Sequence, residues 1–333
     1  MNTARPWLLA DIGGSRTRIG ILNDRDEITA IRVLSNDTVP DLVSALRSYL
    51  EEEGTQPSIR AGALAVAAPI VEDRVRMVNR GWSFSIRGIK EALGWERIEV
   101  INDFTAVAHA LPRLEASHRH QIGAGKPQAN APLGVIGPGT GLGVSGLIPY
   151  RSGWVPLASE GGHVTLAPMN DAEAAVLGRL RARFGHVSAE RAVSGPGLVE
   201  IYQSLAALAG DAASDRTPAE ITARALLGED RYAAQAVDMF FCFLGTVAGD
   251  LALTLAAQGG IYLAGGILPQ IAEALTGSRF RERFVDKGRY RCYLEILPTY
   301  LLTHPFPALL GLRALVRCDR FVIDRADQHI AVS

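Results

Sequence analysis

Asp103 stands where a short stretch that reads as a buried strand, Ile98 to Ile101, meets the polar pair Asn102-Asp103 and an apolar stretch that reads as a helix. A carboxylate at such a junction has two readings. Asp and Asn are preferred helix N-caps, and a negative charge suits a helix N-terminus. The carboxyl ends of strands in open α/β sheets are also where ligands bind, which makes the same residue a candidate base. Two glycine-rich turns offer different chemistry. In DIGGSRTR, from Asp11, and GPGTGLGV, from Gly137, the missing side chains let backbone N–H groups converge on an anion. One such turn is as well explained as a tight hairpin. Two of them at matching places, each between apolar strands and separated by about half the chain, point to a duplicated fold that holds one polyphosphate. Glu160 and His163 in SEGGHV and Glu190 in HVSAERAV read singly as a turn acid, a structural histidine and an exposed acid beside Arg191. Carboxylates can also accept paired hydrogen bonds from neighbouring donors.

Alternating strands and helices must position these groups. Trp7 to Ala10 and Ile19 to Leu22 read as strands around the first turn, and AGALAVAAPI reads as a buried strand. Leu42, Ala45, Leu46, Tyr49 and Leu50 recur at helical spacing in a segment that Thr38 can cap. The stretch PRLEASHRHQIGAGKPQANAP has no period and reads as a loop near a domain boundary. Ser194 to Gly197 reads as a turn opening a helix near Leu198, and Thr217 to Glu220 forms a capping box. The apolar segment from about Tyr232 to Ala257 carries Asp238 and Asp250, which favours a core helix over a membrane span. The strand before Gly265-Gly266 ends in a turn toward a further helix.

At 333 residues, with 48% hydrophobic and 21% charged residues, the chain exceeds the size of one core, so two domains are expected. A net charge of -1 gives no reason to expect nucleic acid or an anionic membrane as partner. Cys242, Cys292 and Cys318 are odd in number and in no metal spacing, which points to a reducing compartment. The apolar stretch at the N-terminus is too short for a signal peptide, so a cytoplasmic protein is expected. Two commoner nucleotide motifs fail. HQIGAGKP has His120 in place of the first P-loop glycine and Pro127 in place of the Ser/Thr, while the glycines from Gly141 to Gly146 do not open a helix as a dinucleotide motif must.

DIGGSRTR, NDFTAVA, GPGTGLGV, SEGGHVTLAP, HVSAERAVSGPGLVEIY and GGIYLAGGILP, in this order, resemble the motifs of bacterial glucokinases of the hexokinase group, within the sugar kinase, actin and heat-shock ATPase superfamily. The resemblance runs from about Leu8 to Leu315 and lacks the cysteine-rich zinc motif of the related repressor and kinase family. It implies a two-lobed α/β protein of the actin-like ATPase, ribonuclease H-like fold, with the active site in a cleft that closes on the hexose. The small lobe would comprise residues 1–113 and 305–333, the large lobe 114–304. It further implies transfer of the γ-phosphoryl of ATP, with Mg2+, to the 6-hydroxyl of glucose. Asp103 would be the base, and Asn102, Asp103, Glu160, His163 and Glu190 the sugar ligands. Asp11 would hold Mg2+ through water. Gly13, Gly14 and Ser15 would face the phosphates from one lobe, Gly139, Thr140 and Gly141 from the other, with Gly265 and Gly266 at the adenosine. A homodimer is implied by family habit alone. Another hexose (mannose, fructose or an amino sugar) and a catalytically weak sugar- and nucleotide-binding regulator remain alternatives. Two residues depart from the usual Asp-x-Gly-Gly-Thr-Asn-x-Arg turn: Ser15 keeps the hydroxyl of Thr, while Arg16 puts a cation where Asn is usual. The tail after Leu315 carries no motif.

Overall fold

The computed structural model describes residues 6–55, 58–77, 81–151 and 153–317, so most of the C-terminal tail lies outside the described residues. The first strand–turn–strand unit forms β1 (Trp7–Ile12) and β2 (Arg16–Leu22), antiparallel and with Asp11 opposite Arg18. β3 (Ile28–Ser35) adds to β2. Helix α1 (Leu42–Glu52) buries the five residues whose spacing marks it, but its cap is Asp41, whose carboxylate accepts from Ser44 N at 2.8 Å. Thr38 instead donates its hydroxyl to Ser35 O at 2.8 Å. Pro40 explains the later start, because it biases Val39 away from helical backbone. There follow β4 (Ala61–Val66), a small separate sheet of β5 (Ile70–Val71), β6 (Arg74–Arg76) and β7 (Ser83–Ser85), then α2 (Ile86–Ala92), β8 (Arg97–Asn102) and α3 (Asp103–Ala110). The main sheet is ordered β3-β2-β1-β4-β8, with β4 and β8 parallel to β1.

The plan then repeats. β9 (Arg119–Ile122) lies inside the stretch expected to be a loop; its four residues are too few and too polar to show a period, yet it pairs antiparallel at the edge of the second sheet. β10 (Leu133–Pro138), β11 (Leu142–Tyr150) and β12 (Gly153–Ser159) precede the helices α4 (Asp171–Phe184), α5 (Gly195–Leu208), α6 (Pro218–Leu227) and α7 (Arg231–Leu255). β13 (Gly260–Leu263), α8 (Ala272–Thr276), α9 (Phe280–Val285), α10 (Arg291–Glu295), β14 (Thr299–Leu302) and α11 (Pro307–Arg317) complete the chain. The second sheet is ordered β12-β11-β10-β13-β14-β9, with β13 parallel to β10 and to β14. Each sheet thus places hairpin strands on one side of its first long strand and parallel strands on the other, the ribonuclease H-like plan of actin-like ATPases, present twice.

The chain forms two compact units: one from residues up to 113, 147–158 and from 306 onward, the other from 114–146 and 159–305. In the first unit Leu8, Ile12, Ile19, Leu46, Tyr49 and Leu64 belong to one core. α11 crosses α3 there so closely that a Cβ on Gly311 would lie 1.7 Å from Ala106 O. In the second unit the core gathers around α7 and includes Phe240, Phe241, Phe243, Phe280 and Phe284. α7 is long and apolar enough to cross a membrane, but 78% of its apolar window is buried inside the protein. Beside it Arg283 of α9 is bidentate to Glu173 of α4, with N–O distances of 2.5 and 3.2 Å, and also donates to Thr246 Oγ1 at 2.9 Å. Both charged side chains are buried.

Candidate active site

In the first unit, register alone brings the candidate residues to one edge. Ile12 pairs with Val66 and Val66 with Asn102, so β1, β4 and β8 end together at their carboxyl ends. The Gly13–Ser15 turn leaves β1 at that edge and Asp103 leaves β8 at it. Two strand spacings separate them, about 10 Å. Asn102 is the cap of α3: its Oδ1 accepts from Phe104 N at 2.9 Å and Thr105 N at 3.1 Å. Asp103 is therefore the first helical residue, half-buried, with one carboxylate oxygen accepting from Phe104 N at 2.8 Å. Capping thus belongs mainly to Asn102, and the base reading of Asp103 does not depend on it.

Asp11 accepts from Arg18 Nη1 at 3.1 Å across the β1–β2 pair. Burial pushes its carboxyl up, against the opposing pull of the Arg18 charge and hydrogen bond. Among the described residues no group of three His, Cys, Asp or Glu side chains gathers to hold a metal. A magnesium ion carried by nucleotide phosphates needs only one or two carboxylates and keeps several waters. Asp11, beside the turn and with one oxygen engaged by Arg18, fits a cation reached through water. Arg18 and the buried Asn36 and Thr17 behind the turn are contacts that sequence reasoning missed. Ser15 and Arg16 are exposed.

In the second unit three separate segments converge on Leu142, the first residue after the second glycine turn. Glu190, half-buried, accepts from Leu142 N at 2.9 Å. The turn after Glu160 packs so closely that a Cβ on Gly162 would lie 2.1 Å from Leu142 O. It leaves Glu160 and His163 exposed beside this junction. The segments of Glu160 and Glu190 are tied by Ala189 N donating to Val164 O at 2.8 Å and by a bridge between Thr165 and Ser188. Gly139 donates its N–H to Gly141 O at 2.8 Å and its carbonyl accepts from Gly195 N at 2.9 Å, while Thr140 is exposed. That contact seats the start of α5, whose cap is Ser194, accepting from Gly197 N at 3.0 Å. The helix begins at Gly195, earlier than the expected Leu198, because a Ser cap followed by Pro196 is already a complete helix start. Gly265 follows β13, which is in register with β10, so it lies at the same edge as the Gly139–Gly141 turn. Its φ of +90° and the 2.3 Å a Cβ would leave to Pro138 O demand glycine for the turn itself. Gly266 has open space where a Cβ would stand.

A model of the Glucokinase family matches residues 8–318. The chain belongs to the glucokinase family. A glucokinase of Paramagnetospirillum magneticum is 48% identical over 310 residues, covering 93% of this chain and 97% of that protein. Among solved structures, a glucokinase from an Antarctic psychrotroph is 37% identical with a TM-score of 0.81, covering 93% of this chain and 98% of that one. A ROK family glucokinase from Streptomyces griseus, solved with glucose and AMPPNP, shares the fold at a TM-score of 0.64 and 19% identity, with 93% and 98% coverage. Within the glucokinase family, the glycine turns and the Asn102-Asp103 pair of this chain thus stand on a fold shared with nucleotide-using sugar kinases.

Proposed function

We propose that the protein is an ATP-dependent glucokinase in which Asp103 takes the proton from the glucose 6-hydroxyl. The observation that carries the reading is the common register of Ile12, Val66 and Asn102, which sets a phosphate-type turn and a carboxylate about 10 Å apart on one sheet edge. That gap suits a γ-phosphoryl group on the turn and a hydroxyl at the carboxylate. As the hydroxyl oxygen bonds to the γ-phosphorus, its proton passes to Asp103 and the bond from phosphorus to the bridging oxygen breaks, leaving ADP and glucose 6-phosphate. The transition state is loose, so positioning and charge stabilisation supply most of the catalysis. The Gly13–Ser15 and Gly139–Gly141 turns are assigned to the phosphates and Gly265-Gly266 to the adenosine. Magnesium, near Asp11, would neutralise charge on the phosphates. Asn102, Glu160, His163 and Glu190 are assigned to the ring hydroxyls; Asn102 keeps its Nδ2 for a sugar oxygen while its Oδ1 caps α3. Two unbridged thiols, Cys242 and Cys292, support a cytoplasmic setting.

An ADP-release assay over glucose, mannose, fructose and amino sugars tests the assignment. The expected result is the highest kcat/KM with glucose; a preference for another hexose by ten-fold or more, about 1.4 kcal/mol in transition-state binding, would replace glucose in the assignment.

Arg16 begins β2 two residues before Arg18, so the two side chains leave the same face, the one on which Arg18 meets Asp11. A guanidinium there is suited to phosphate oxygens. Arg16→Asn is expected to raise KM for ATP several-fold, for a lost exposed contact of about 1 kcal/mol, with KM for glucose little changed. An ATP KM unchanged at low and moderate salt would place the arginine outside the phosphate site.

A further inference from the structure

The first glycine turn is built around a side chain that no sequence motif announces. Asn36 is fully buried in the short turn Asn36–Thr38 that follows β3. Its Nδ2 donates to Gly13 O at 2.8 Å and to Gly14 O at 3.3 Å. Its backbone N–H donates to Ser15 O at 2.9 Å. Its Oδ1 accepts from the buried Thr17 hydroxyl at 2.7 Å, which orients the amide so that its donors face the turn. Three successive carbonyls of the turn are therefore drawn onto one residue.

The C=O and N–H of a planar trans peptide point in opposite directions. Holding the carbonyls of Gly13 and Gly14 inward thus turns the N–H groups of Gly14 and Ser15 the other way, toward the side on which Ser15 is exposed. The N–H of Gly13 is already closed on Arg16 O at 3.0 Å, which leaves those next two as the donors the turn presents. A turn with paired glycines would otherwise sample many orientations.

We infer that Asn36 is a positioning residue for phosphate, fixing the Gly14 and Ser15 N–H groups as a preformed cradle for the terminal phosphate oxygens of a nucleoside triphosphate. The inference rests on the nucleotide reading of this turn. Preorganisation of this kind strengthens binding because the donors are not reordered when the anion arrives. Only an amide serves here. A carboxylate would still accept from Thr17, but it has no donor for the carbonyls and would set a buried charge against two carbonyl oxygens.

The test compares Asn36→Asp, Thr17→Val and Thr17→Ser with the wild-type enzyme, measuring KM for ATP and for glucose separately, kcat at saturation of both, and the thermal midpoint. Asn36→Asp is expected to raise KM for ATP about ten-fold while KM for glucose stays within about two-fold. Thr17→Val, which removes only the hydroxyl that orients the amide, should raise KM for ATP by a few-fold, and Thr17→Ser should restore it. If Asn36→Asp does not fold, the Thr17 pair carries the test. Unchanged KM for ATP in folded Thr17→Val, or parallel rises in both KM values, would overturn the positioning role while leaving the nucleotide reading in place. Absence of ATP-dependent turnover in the wild type would overturn the reading and the inference with it.

Discussion

Asp103→Asn is expected to lower kcat by about 10²- to 10⁴-fold, the range that a positioned general base contributes, while leaving the fold and the affinity for glucose nearly intact. The structure makes this variant unusually clean. Asn102, not Asp103, supplies the main cap of α3, so the helix start survives the change. The bond from Phe104 N to Asp103 Oδ1 also survives, because an amide oxygen can accept it. What is lost is the acceptor for a proton, whose value is realised in the transition state. A charge at a helix N-terminus is also removed, worth about 0.3 to 1 kcal/mol of stability. Asn102→Ala provides the contrast: a cap loss of about 1 kcal/mol together with a raised KM for glucose from the lost Nδ2 contact. Steady-state kinetics with glucose binding by calorimetry separates the two. A kcat for Asp103→Asn within a few-fold of wild type would remove Asp103 from the mechanism.

The second large effect concerns stability. Glu173→Ala would strand the Arg283 guanidinium in the core of the second unit, held by the Thr246 hydroxyl. Breaking a buried pair in this way costs about 3 to 5 kcal/mol. For a unit of this size that is a fall of roughly 6 to 20 °C in the transition that reports it. Glu173 additionally accepts from Met169 N at 2.8 Å and Asn170 Nδ2 at 2.9 Å at the start of α4, so its loss also loosens that helix start. Replacing both partners by Met should recover much of the difference, since no lone charge remains. Calorimetry of the single and double variants decides it. A single variant that melts within 2 °C of wild type would mean that the guanidinium finds water or another acceptor.

The two duplicated strand–turn–strand units were legible because their information is local: short, nearly continuous apolar runs interrupted by glycines. The strand–helix junction at Asn102-Asp103 was legible for the same reason, although which of the two caps the helix depends on backbone geometry that the letters do not carry. Thr38 looked like a helix cap only because Asp41, which follows Pro40, was passed over. β9 was missed because an edge strand of four residues, three of them polar, has no periodic signature. The supports of the site were beyond reach on other grounds. Asn36 meets Gly13 across 23 residues, and Arg283 meets Glu173 across 110. Such pairs are set by how the sheets fold, and no spacing within the chain announces them.

The close crossing of α11 on α3 gives the chain an order of assembly during synthesis. α3 emerges early, but the helix that covers it, Pro307–Arg317, is made much later. At about 5–20 residues per second, the roughly 200 residues between them take on the order of 10–40 s to be translated. Throughout that interval the second unit can collapse around α7, while the nascent first unit carries the helix that begins with Asp103 without its cover. The helix that begins with Asp103 therefore gains its close cover from Gly311 only after the ribosome has delivered α11.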